Sequence, residues 1–107
     1  MAWLWLIVAG MLEIAWAVGL KYTHGFTKLW PSVVTVVLML LSFWCLAQAV
    51  KVLPLGTSYA IWTGIGAVGT AIAGIVLFKE PATAARLVCM VLVVAGIVGL
   101  KFTTNAG

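Results

Sequence analysis

Apolar residues gather into four long runs separated by short polar breaks. The first runs from about Trp3 to Leu20, the second from Trp30 to Val50, the third from Thr57 to Phe78 and the fourth from Ala84 to Phe102. Each is close to the ~20 residues a helix needs to cross about 30 Å of hydrocarbon. The fourth is the shortest case, because Arg86 and Lys101 bracket only fourteen uncharged residues. Both long side chains can snorkel toward the headgroups, so this run still spans. The breaks punctuate the runs as helix ends do. His24 to Lys28 is a polar turn, and Pro31 suits the first turn of the second helix. Pro54 to Ser58 forms a tight connection, and the hydroxyls of Thr57 and Ser58 are suited to cap the third helix. Lys79 to Thr83 closes the third helix and opens the fourth. The pattern predicts an all-α membrane protein of four transmembrane helices, forming a single domain over residues 1–107.

Composition strengthens that reading. Of 107 residues, 65% are hydrophobic and 7% charged, with six basic side chains against two acidic ones. A soluble domain of this size cannot cover its surface with so few polar groups, so the apolar surface must face lipid. The net charge of +4 does not indicate nucleic acid. Lys21, Lys28, Lys51, Lys79, Arg86 and Lys101 stand singly at the ends of apolar runs, as headgroup anchors do, and form no basic face. The first run has no basic residue before it and carries Glu13, so it reads as a retained span and not as a cleaved signal. Cys45 and Cys89 lie in separate runs without a CxxC pairing and read as buried apolar filler. No metal or cofactor is expected.

The basic residues bias topology only weakly. One side of the membrane receives Lys21, Lys28, Lys79 and Arg86, and the other receives Lys51, Lys101 and the amino terminus. A lysine and arginine excess of four to two, on very short loops, leaves both insertion orientations open.

Glu13 is the only acidic residue within any of the four runs. A charge at the bilayer centre costs about 2.5 kcal/mol or more, so an intramembrane acid marks a functional site unless a partner explains it. No basic residue lies within a turn of it on its own helix, and a purely structural, hydrogen-bonded carboxylate is the competing account. One carboxyl group can hold a proton or a cation in turn. Gly10, Glu13 and Trp16, spaced by three, share a helical face, where glycine leaves room and tryptophan offers a ring to a cation. Tyr59 and Trp62 repeat the spacing on the third helix, and Ser42 places a hydroxyl in the middle of the second. Trp3, Trp5 and Trp30 read as interface anchors and Trp44 as packing. Glycines 64, 66, 69 and 74 in the third helix, with 96 and 99 in the fourth, allow close helix contact. The pair flanking Ile65 also suits a bend or hinge. A single four-helix copy is too small to enclose a pathway and shield a charge, which points to a homodimer.

These residues resemble the small multidrug resistance family over essentially the whole chain, most closely its SugE-type, guanidinium-exporting branch. The resemblance is carried by Gly10 to Lys21 (GMLEIAWAVGLK), Gly25 to Ser32 (GFTKLWPS), Leu53 to Gly66 (LPLGTSYAIWTGIG) and Gly96 to Lys101 (GIVGLK). It implies a multi-pass transporter of the bacterial inner membrane, working as an antiparallel homodimer that exchanges protons for guanidinium. Small substituted guanidinium and quaternary ammonium ions are implied as further substrates. Glu13 matches the carboxylate for which protons and substrate compete, and Tyr59 and Trp62 match aromatics lining the site. Trp16 matches the aromatic beyond the glutamate, Ser42 the hydroxyl that orients the carboxylate, and Gly10 the small residue that makes room. Ser58 departs from the alanine common in the branch, without touching the site. Three other readings compete. They are a broad multidrug cation exporter, a narrow cation channel and a chaperone-like structural membrane subunit. An enzyme is not expected.

Overall fold

A computed structural model describes residues 2–103. Met1, whose amino terminus enters the charge count above, and residues 104–107 lie outside the described residues. Four α-helices follow in order: α1 (Ala2–Tyr22), α2 (Leu29–Val50), α3 (Leu55–Phe78) and α4 (Ala84–Thr103). Each is long and apolar enough to cross a membrane. The all-α, four-span architecture therefore agrees with the hydrophobic pattern.

The helix ends show which local chemistry prevails. α3 starts at Leu55, two residues before the predicted Thr57, because Pro54 (φ −58°) takes the N-cap position and its carbonyl accepts the Ser58 N–H at 3.0 Å. Thr57 and Ser58 therefore lie inside the first turn, and no side chain caps this helix. At the other end of α3, Lys79 adopts a left-handed conformation (φ 56°), and the N–H groups of Lys79 and Glu80 both reach the Gly74 carbonyl. Thr83 caps α4 by accepting the Arg86 N–H through its hydroxyl at 3.2 Å. Between α1 and α2 the chain turns through positive φ at His24, Gly25 and Phe26, stabilised by the buried Thr23. The Thr23 hydroxyl donates to the Leu20 carbonyl at 2.8 Å and accepts the Phe26 N–H at 3.2 Å.

α1 is the hub. It packs along both α2 and α3, whereas α4 runs along α3, reaches α1 through the Lys101 side chain, and buries no residue. Small side chains carry these contacts, as expected where lipid supplies no hydrophobic drive between helices. Ile65 of α3 fills the space at Gly10 of α1, where a Cβ would lie 2.6 Å from Ile65 Cγ2, and Ile97 of α4 fills the space at Gly64. Gly96 and Gly99, expected to serve packing, face open space within the chain. Leu6, Ala9, Cys45, Ala49, Leu53, Ile61 and Trp62 make the buried core. Cys45 is thus the apolar filler expected of it. Cys89 is exposed, because α4 lies at the edge of the chain along α3 and its other faces are uncovered within it.

Two basic anchors bend back over rings at the helix ends. The Lys21 ammonium lies 5.3 Å from the Phe78 ring centre, linking α1 to α3, and Lys101 lies 4.9 Å from that of Trp3, linking α4 to α1. Trp44 packs edge-on against Trp5 at 5.2 Å between ring centres.

Candidate functional site

The polar centre is built where α1, α2 and α3 meet. Ser42 is fully buried on α2, and its hydroxyl donates to the Ala9 carbonyl of α1 at 2.7 Å. The same oxygen accepts the indole N–H of Trp62 from α3 at 3.0 Å. One hydroxyl therefore ties three helices together. In an α-helix the carbonyl of residue i−4 accepts the N–H of residue i, so Ala9 is also the backbone acceptor for Glu13. Ser42 and Trp62 thus connect to Glu13 through the backbone of α1. The hydroxyl proton is committed to Ala9 and is not directed at the carboxylate.

Glu13 lies one turn beyond this junction, partly buried, with Oε1 sealed from solvent and without a hydrogen-bond partner among the described residues. Its side chain packs against Gly66 of α3, where a Cβ would fall 2.7 Å from Glu13 Cγ and would overlap the carboxyl carbon and Oε1. The ion pair found among the described residues, Arg86 with Glu80 at 3.3 Å, lies at the α3–α4 connection and leaves Glu13 without a counter-ion. Past Glu13 the α1–α3 contact opens into a cleft of about 360 Å³. Ala17, Ala67, Thr70 and Gly74 line its walls, and Lys21 and Glu80 lie on its lining too.

Aromatic rings continue the centre across the helices. Trp16 meets Phe43 at 6.3 Å between ring centres, Phe43 meets Trp62 at 5.8 Å, and Trp62 meets Tyr59 at 5.6 Å. Trp62 is 6% exposed and Tyr59 56%, so the cluster runs from the protein interior to the outer surface of the single chain. The Trp16 indole N–H is buried and unpartnered among the described residues. Edge and tilted packing leaves ring faces for a cation.

The expected residues thus divide into two groups. Ser42, Trp62, Tyr59 and Trp16 are joined by hydrogen bonds or ring contacts, whereas Glu13 and Gly10 meet α3 through Gly66 and Ile65. The sequence reading missed Phe43, which bridges Trp16 and Trp62. Its signal was an aromatic beside Ser42 in mid-span, but neighbouring residues on a helix point about 100° apart. Gly66 was read as a packing glycine and, with Gly64, as a bend or hinge; its close contact with α1 agrees with the first, but that the contact is Glu13 was not foreseen.

Four spanning helices around one membrane-embedded carboxylate define a multi-pass membrane protein with a polar centre at bilayer depth. The chain belongs to the small multidrug resistance family, matching the family described as Small Multidrug Resistance protein over residues 1–93. It is 59% identical over 105 residues to the guanidinium exporter of Escherichia coli (strain K12), which covers 98% of this chain and 100% of that protein. The guanidinium exporters of Salmonella typhimurium and Citrobacter freundii are 56% identical with the same coverage.

Proposed function

We propose that this protein exports guanidinium across the bacterial inner membrane in exchange for protons. Substituted guanidinium and small quaternary ammonium ions are further substrates. The observation that carries the reading is Glu13, an acid at bilayer depth with no counter-ion among the described residues, beside an aromatic cluster. Near-identity in length and 56–59% identity to proteins named guanidinium exporters support the choice of cation.

Guanidinium fits the chemistry. It is planar, presents paired donors that match a carboxylate in bidentate geometry, and leaves both faces for aromatic contact. Glu13 holds a proton when the site is empty and releases it when the cation binds, so binding and proton movement are coupled at one group. Trp16, Tyr59 and Trp62 supply ring surface. Ser42 fixes Trp62 and the α1 backbone beside Glu13. Gly10 lets α3 approach.

The working unit is a homodimer of antiparallel copies. α4 buries no residue within one chain and Tyr59 is largely exposed, so a single copy leaves the aromatic side of the centre unshielded. A second copy encloses it and brings two Glu13 side chains to one cavity. Proton flux in reconstituted vesicles, with guanidinium and a bulky drug cation compared, tests the substrate. Strong flux with the drug and none with guanidinium would make this a broad drug exporter. Single-molecule subunit counting in lipid tests the dimer, which transporting monomers would exclude.

A further inference from the structure

α1 and α3 meet through three successive fits of a side chain against a glycine. Ile65 sits at Gly10, Glu13 at Gly66 and Ile14 at Gly69. Two of the three are apolar contacts of the ordinary kind. The middle one places an acid on bare helix backbone. A glycine inside a helix costs about 1 kcal/mol relative to alanine, so Gly66 needs a reason to be there. α3 stays helical through it. A Cβ at this position would be 2.7 Å from Glu13 Cγ and closer still to the carboxyl carbon and Oε1, distances that real Cβ atoms essentially never show. Gly64, two residues earlier, receives Ile97 and Val93 from α4 and has no part in this contact.

We infer that Gly66 is a positioning residue for transport: its missing side chain forms the seat that holds the Glu13 carboxylate at the α1–α3 boundary and fixes where the cation is received. This deepens the proposed role of Glu13 and rests on it. The seat explains how a carboxylate can lie tightly against a neighbouring helix without a side-chain donor. It also ties the length of the acid to the absence of a side chain opposite. A methyl group at position 66 must push the carboxylate away, and an acid one methylene shorter draws its carboxyl carbon back to about the Cγ position and lessens the overlap.

A double-mutant cycle with Gly66→Ala and Glu13→Asp tests this, read as guanidinium affinity by titration of purified protein. Gly66→Ala overpacks the contact and should weaken binding at least about fivefold. Glu13→Asp should cost less in the Gly66→Ala background than in the wild type, by at least about fivefold. Gly64→Ala serves as the control and should combine with Glu13→Asp additively, within about twofold. If Gly66→Ala does not fold, the yield of folded protein becomes the readout, and the double variant should recover it. Additivity of Gly66→Ala with Glu13→Asp, or a double variant that folds no better than Gly66→Ala, overturns the seat. Guanidinium-driven proton flux that survives Glu13→Gln is a separate failure, of the transport reading itself.

Discussion

Replacing Ser42 with alanine removes one hydroxyl that serves two hydrogen bonds, and the structure separates their worth. The Trp62 N–H loses its acceptor, 3.0 Å away, in a side chain that is 6% exposed. An orphaned buried donor costs about 1–3 kcal/mol. The Ala9 carbonyl loses less, because it keeps the Glu13 N–H of its own helix. Trp62→Phe removes the donor instead, so a subsequent Ser42→Ala breaks only the bond to Ala9, worth about 0.6 kcal/mol by the average for interhelical bonds in membranes. Ser42→Ala should therefore destabilise the wild type by about 1–3 kcal/mol more than it destabilises Trp62→Phe. The ring volume lost at Trp62 cancels in this comparison. Unfolding of the four proteins in detergent micelles measures it. Equal costs of Ser42→Ala in both backgrounds would refute the bond between Trp62 and Ser42. The same variants should weaken guanidinium more than a bulky quaternary ammonium, since only the planar ion depends on aligned donors.

Three further outcomes are expected. Guanidinium binding should weaken as pH falls through the range in which the Glu13 pair takes up protons, a range belonging to both carboxylates together; titrations across pH check this, and pH-independent affinity would exclude proton competition. Lys79→Gly should raise stability by about 0.5–1 kcal/mol, because glycine adopts φ of +56° without the cost a side chain carries there; a lower midpoint in thermal unfolding would contradict this. A carboxy-terminal tag that adds no charge should be accessible from both sides of sealed vesicles, given the four-to-two division of basic residues, and access from one side only would rule out dual insertion.

The spans were legible because hydrocarbon imposes a length and excludes charge, and both constraints are written in the order of residues. Two ends moved by two residues, the end of α1, which runs on to Tyr22, and the start of α3, where Pro54 outcompeted the hydroxyls of Thr57 and Ser58 for the cap. Glu13 was legible for the same reason as the spans: an acid inside one has no innocent local explanation. What the acid touches was not legible. Gly66 becomes its neighbour through the register of α1 against α3, which no periodicity along either helix reports. The Ser42 acceptor is a backbone carbonyl, and a carbonyl has no residue signature. Cys89 was misread as buried because composition does not distinguish a helix at the edge of the bundle from one inside it.

In the proposed mechanism the Glu13 carboxylate exchanges protons for guanidinium. Glu13→Gln keeps the size of the side chain but removes its charge and its exchangeable acid. In vesicles reconstituted with this variant, a guanidinium gradient should drive no proton flux, against clear flux with the wild type at the same protein density. Guanidinium-driven proton flux that persists in Glu13→Gln would contradict the mechanism.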